Sequence, residues 1–268
     1  MFENKTIVHK YITYCKTVVI PPGFGDFLRG TLYLYQLSQK LGLELIIDFS
    51  SHPIGKWIVQ QHRYNLEHIQ DSDTREFFNE NMCMTEKYIQ DNVSPILICH
   101  NWPLRPLDLL TKLYLQQIIT FNESFHNEIK DELKRLKFPE KYCVIHVRTG
   151  DRNTYTISDN MEQYIINHII PKWGNNIIVM SDNYKVKEFI TQKYNFYMTD
   201  WHAVHLGAIK SFPVYDKEYD NINDEHIKHT LMEFFIMSKC SIIYGWPGSG
   251  FASMCSLIYD IPYEEHLL

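Results

Sequence analysis

His146, Val147, Arg148, Thr149, Gly150 and Asp151 run straight on from the apolar stretch 142–145. A short β-branched run that ends in polar residues is how a buried parallel strand delivers side chains to the carboxyl edge of its sheet, where doubly wound sheets bind ligands. An arginine at that edge presents a rigid fork of donors, suited to a diphosphate and to the negative charge that grows on a departing phosphate. The same hexapeptide also fits an arginine paired with Asp151 in a surface turn. A second segment of chemical interest is Gly245, Trp246, Pro247, Gly248, Ser249 and Gly250, between the strand expected at 241–244 and a helix expected at 251–259. A glycine-rich turn that opens a helix offers backbone N–H groups beside the positive end of the helix dipole, and Ser249 adds a hydroxyl donor.

The elements that would position these residues follow from alternating apolar patterns. In the first half, 16–20 reads as a strand, 27–41 as a helix and 43–48 as a strand, a βαβ unit that implies a parallel sheet. Pro22, Gly23, Phe24, Gly25 and Asp26 form the turn between the first two. Helices are expected at 54–69, 75–88, 107–119 and 123–136, with a strand at 95–99. Phe138 and Pro139 then mark a boundary. The second half alternates again: strand 142–146, helix 161–168, strand 176–180, helix 184–194, helix 226–238, strand 241–244 and helix 251–259. The fold class is therefore α/β with two Rossmann-like domains, 1–137 and 138–268, facing a central cleft that is the default ligand site.

Composition narrows the function. The chain has 268 residues, 45% hydrophobic and 22% charged, enough for two small cores. A net charge of -6 excludes no anionic small molecule but argues against a nucleic-acid partner, which calls for concentrated Lys and Arg. The six cysteines are scattered singly, without a CxxC pair, and read as reduced core residues. No apolar stretch reaches 18 residues, and residues 1–10 lack the apolar core of a signal peptide, so the expectation is a soluble, cytoplasmic protein with no membrane anchor.

Several further patterns do not support a metal. Asp71, Ser72 and Asp73 match a short manganese-binding pattern, but Asp73 to Glu76 reads as a capping box that starts a helix. His202 with His205, and His226 with His229, are spaced for a shared helix face, yet no acidic or thiol ligand joins them; they read as solvent-facing or cap-binding histidines. The acidic stretch 216–225 lacks the glycine of a calcium loop. Trp57, Trp102 and Trp201 have the chemistry of sugar-stacking platforms, although most aromatic residues are core.

The segments together resemble a known family. His146-Val147-Arg148 after a strand, Ser181-Asp182 after the next, and Met237 to Cys240 leading into Ser249-Gly250-Phe251-Ala252 are similar to the three donor-site motifs of the fucosyltransferase superfamily, in the family's order. Pro22-Gly23-Phe24-Gly25-Asp26 resembles the glycine-rich loop of the family's first domain. The chain has Thr149 where members often carry a second basic residue, and Glu233 where aspartate is common.

The resemblance implies a GT-B-like fold, GDP-fucose as donor, a carbohydrate acceptor, inversion at the anomeric carbon and neither metal nor other cofactor. It implies contacts of His146 and Asp182 with guanine and ribose, of Arg148 with the β-phosphate, and of Ser249, Gly250 and Phe251 with the pyrophosphate. Gly23 and Gly25 are further donor-binding candidates, whose backbone would help offset the charge on the departing phosphate. A carboxylate such as Asp182 can accept both the N1–H and the amine of guanine, a pairing uracil lacks. Candidates for the base are Asp26 and Asp151; Asp151 also reads as a structural partner of Arg148 or Arg152.

Overall fold

The computed structural model describes residues 6–11, 22–50, 52–59, 74–77, 82–92, 95–149, 157–208, 223–246 and 248–265. The chain divides into two compact units, Met1–Thr120 with Leu206–Ser211, and Phe121–His205 with Phe212–Leu268.

Unit 1 is built on a four-stranded parallel sheet, ordered β2-β1-β4-β3, from β1 (Thr6–Lys10), β2 (Glu44–Asp48), β3 (Thr74–Phe77) and β4 (Ile96–Cys99). Helix α1 (Phe24–Leu41) crosses from β1 to β2 and ends at Gly42, whose positive φ of 65° is the left-handed conformation that glycine adopts without strain. Tyr33, Leu34 and Leu37 of α1 pack with Ile7, Leu97, Cys99 and Ile89, the last from α2 (Met82–Asp91). Gly30 sits where α1 meets the sheet, and a Cβ there would overlap the Cys99 carbonyl, so only glycine lets the helix lie this close. Helix α3 (Leu109–Ile118) packs on α1 through the stacked rings of Tyr35 and Tyr114, 3.8 Å apart.

A buried column of rings runs beneath the carboxyl edge of this sheet. His9 stacks on Phe27 (4.6 Å), Phe27 on Tyr11 (4.3 Å) and Tyr11 on His52 (4.0 Å). The His9 ring is fully buried with both nitrogens engaged: Nε2 accepts from the Cys99 amide, and Nδ1 therefore donates to Thr31 Oγ1. His52 Nδ1 accepts from the Ile54 amide and caps the short turn Pro53–Lys56. Burial holds both imidazoles neutral, with pKa values lowered to about 3; for His9 the neighbouring His100 adds to the effect.

Unit 2 repeats the plan. Strands β5 (Cys143–Val147), β6 (Ile177–Ser181), β7 (Ile243–Gly245) and β8 (Tyr263–Glu264) form a parallel sheet ordered β6-β5-β7-β8. One face is covered by α5 (Asp159–Tyr164), a π-helical turn Ile165–Ile169, α6 (Ile170–Trp173) and α7 (Tyr184–Tyr194), around Met161, Ile165, Ile169, Val186 and Ile190. Helices α8 (Asp224–Met237) and α9 (Gly250–Tyr259) pack on each other, and Phe234 meets Phe251 edge-on. Because β6 lies on one side of β5 and β7 on the other, the chain reverses its winding at the carboxyl end of β5.

Several expectations need correction. The first strand is Thr6–Lys10, whereas 16–20 lies outside the described residues. Residues Thr74–Phe77 are a strand paired with β4, and so the capping box and the helix expected from residue 75 give way to β3 and then to α2. The helix expected at 54–69 is a short turn at its start and otherwise falls outside the described residues, as does Asp71-Ser72-Asp73. The turn expected at 22–26 is shorter: α1 begins at Phe24, which puts Gly25 and Asp26 in its first turn. Helix α4 (Glu123–Arg135), read as part of the first half, packs on α8, where Glu128 meets Lys228 at 2.9 Å. Its amphipathic stripe, Phe125 and Ile129, is buried, and Phe121 meets Phe235 edge-on.

Among the described residues no helix is long and apolar enough to cross a membrane, and no group of His, Cys, Asp and Glu is placed to hold a metal ion. Cys99, Cys143, Cys240 and Cys255 are buried free thiols.

Candidate functional site

The reversal point of the unit 2 sheet gathers the second-half residues singled out by sequence. Strand β5 carries His146 in its last turn of pleat and releases Arg148 and Thr149 beyond its end; β6 releases Asp182; β7 leads through Trp246 and Gly248 into α9. Gly248 has a φ of 76°, a conformation that side chains rarely adopt, and it turns the chain so that Ser249 can cap α9.

Arg148 is held on two sides. One terminal nitrogen donates to the Gly248 carbonyl at 3.4 Å, and the other lies 3.2 Å from His205 Nε2. A guanidinium has no lone pair to offer, so Nε2 must accept and the His205 proton sits on Nδ1. The fork is thus fixed beside the first turn of α9, which Gly250 and Phe251 open, where backbone amides and the dipole favour an anion.

Ser249 is completely buried. Its hydroxyl accepts from the Ala252 amide at 3.4 Å and lies 3.4 Å from His146 Nδ1. Here, then, it is a cap that also pairs with the histidine ring. His146 is itself buried, and desolvation lowers its pKa to about 4; Asp182 opposes that shift and Arg148 reinforces it, so the ring is neutral at physiological pH. Phe251 stacks over it at 5.5 Å. Asp182 accepts two hydrogen bonds on one oxygen, from the Thr149 amide at 2.7 Å and the Thr149 hydroxyl at 2.8 Å. Thr149 thereby ties the loop after β5 to the loop after β6. Asp151 lies outside the described residues.

Gly23, Gly25 and Asp26 lie in unit 1, at the start of α1. Gly23 is the extended residue that precedes the helix, and Asp26 faces Arg29 at 3.3 Å. Arg29 also donates to the His100 carbonyl at 2.5 Å and lies over the half-exposed ring of Trp102, 4.9 Å from its centre. Trp201, another stacking candidate, is buried.

Sequence reasoning missed the role of His205. It also did not single out Lys187, which is fully buried and bonded to Glu233 at 2.8 Å, to Thr199 Oγ1 at 3.3 Å and to the Trp201 carbonyl. The histidine pairs are resolved as protein contacts: His226 completes the α8 capping box with Asn223, and His229 accepts from the His202 amide. A polar residue inside the 3.6-residue pattern of α7 was the available signal for Lys187; nothing local pointed from His205 to a residue 57 positions away.

No protein-family model and no curated protein matches the sequence. Solved structures do match its fold. Fucosyltransferase NodZ from Bradyrhizobium is 12% identical over 98% of this chain and 96% of that one, with a TM-score of 0.60. A mutant of Arabidopsis thaliana FUT1 in complex with GDP is 10% identical over 97% of this chain and 70% of that one, with a TM-score of 0.63. POFUT1 in complex with GDP-fucose is 11% identical over 99% of each chain, with a TM-score of 0.52. NodZ α-1,6-fucosyltransferase has also been crystallised with GDP. In its fold, this chain is built as the fucosyltransferases are.

Proposed function

We propose that the chain is a glycosyltransferase that moves L-fucose from GDP-fucose to a hydroxyl of a carbohydrate acceptor, with inversion and without a metal, in a GT-B arrangement. The observation that carries this reading is the fixed fork of Arg148 beside the first turn of α9, at the reversal point of a parallel sheet. Its support is that chains of this fold have been crystallised with GDP and GDP-fucose.

In this reading residues 138–268 bind the donor and 1–137 the acceptor. The acceptor oxygen forms a bond to the anomeric carbon while the bond from that carbon to the β-phosphate oxygen breaks, through an oxocarbenium-like state. The electron pair leaves with GDP. Arg148 and the amides of Gly250 and Phe251 meet the charge that develops there, the work a metal does elsewhere. The acceptor proton passes to a carboxylate, for which Asp26 is our candidate, oriented by Arg29. Asp182 and the neutral His146 ring read the nucleoside, and Thr149 fixes the carboxylate for that purpose.

The test is nucleotide choice. A ligand that binds only the folded state raises the melting temperature. GDP raises it and UDP does not if Asp182 reads guanine. Equal shifts would remove the guanine assignment and favour a xylosyl or rhamnosyl donor.

A further inference from the structure

Residues 199–205 follow the isolated bridge of Tyr197 to Ile178 and form no regular element, yet most of them are tied down from beneath. Thr199 Oγ1 donates to the buried Glu233 carboxylate at 3.0 Å. Lys187, buried against the same carboxylate, donates to the Trp201 carbonyl. The His202 amide donates to His229 Nδ1, and the Val204 amide to Thr230 Oγ1 at 2.8 Å. The rings join in: His202 stacks on Tyr184 at 4.1 Å, and Trp201 lies parallel to His229.

Burying a lysine and a glutamate is a poor way to gain stability, because desolvation consumes most of the attraction. What the arrangement does supply is position. Two helices, α7 and α8, hold an irregular segment rigidly enough to deliver one side chain at its end, and that side chain is His205, 3.2 Å from Arg148.

We infer that His205 is a positioning residue for Arg148: its neutral Nε2 fixes the plane of the guanidinium so that the fork faces a β-phosphate bound at the start of α9. The inference rests on the donor-site reading above. An arginine side chain carries several rotatable bonds, and ordering it on binding weakens affinity. With one terminal nitrogen on Gly248 and the other on His205, that ordering is complete before the nucleotide arrives. Lys187, Glu233 and Thr230 act one step further back, on the backbone that carries His205.

The experiment compares GDP with GMP by titration calorimetry on the full chain, since the two differ in the β-phosphate alone. Wild type binds GDP more tightly, and Arg148→Ala narrows the difference to what the first-turn amides of α9 sustain. His205→Ala weakens GDP by about tenfold and leaves GMP unchanged, the loss expected from one long side chain that must be ordered anew. His205→Gln restores GDP binding, because its amide oxygen reaches the place of Nε2. The inference is overturned if His205→Ala keeps the wild-type ratio, if GDP and GMP weaken in parallel, or if glutamine is no better than alanine. Equal affinities for GDP and GMP in wild type, or a difference left at its full size by Arg148→Ala, would instead sink the donor-site reading, and this inference with it.

Discussion

The ring column of unit 1 predicts an acid weakness that one substitution relieves. His9 and His52 are buried and neutral, with pKa values lowered to about 3 by desolvation. The unfolded chain takes up a proton at each histidine near pH 6.5, whereas the folded chain does not. Each group therefore contributes stability that is whole above about pH 6.5 and is lost as the pH falls toward the folded value. At pH 5 the loss is about 2 kcal/mol for each, and about 4 kcal/mol for the pair, from about 1.36 kcal/mol for each pH unit below the unfolded value. That is a large share of a typical stability of about 5–15 kcal/mol.

His52→Phe isolates half of it. Phenylalanine keeps a ring to stack on Tyr11 but cannot accept from the Ile54 amide, which weakens the protein by about 1 kcal/mol at neutral pH. The variant no longer suffers the histidine penalty, so its stability declines less on acidification, and the two curves cross at about pH 6. The assay is native-state hydrogen exchange at the β1 and β4 amides, converted to opening free energies between pH 7 and pH 5. Parallel curves for wild type and variant would refute the argument, because they would mean that His52 is protonated as readily in the fold as outside it.

Two further outcomes are expected. Arg148→Ala lowers kcat by about two orders of magnitude with the melting temperature preserved, and Arg148→Lys recovers little, since an ammonium keeps the charge but not the two-donor plane; steady-state kinetics beside a melting curve checks both. Gly30→Ala adds a methyl where the Cys99 carbonyl already stands, so α1 must shift from the sheet and the denaturation midpoint drops by the equivalent of about 2 kcal/mol or more, a result that an unchanged midpoint would contradict.

Much of unit 2 was legible because its strands are buried on both faces and so read as unbroken apolar runs; 142–146 and 176–180 fall within a residue of β5 and β6. The loops that follow such strands lie along one edge of the sheet, and the family resemblance put His146, Arg148, Asp182 and Ser249 among them. Unit 1 was harder. Strand β1 has the sequence TIVHK, and its histidine is tolerated in the core only because Thr31 and the Cys99 amide satisfy the ring. Strand β3, TREF, has the composition of a helix start, and its pairing with β4 overrides that preference. Lys187 and His205 depend on partners tens of residues away, and no local pattern encodes such partners.

The double hold of Thr149 on Asp182 bears on how fast this edge of the sheet can work. A carboxylate that waits in solvent samples its rotamers and sheds water each time a ligand docks. Here both torsions are set during folding by an amide and a hydroxyl that arrive on the same loop. Under the proposed donor-site reading, an incoming nucleotide would therefore meet a finished surface, and its encounter with Asp182 would resemble the fitting of a part to a jig rather than a search.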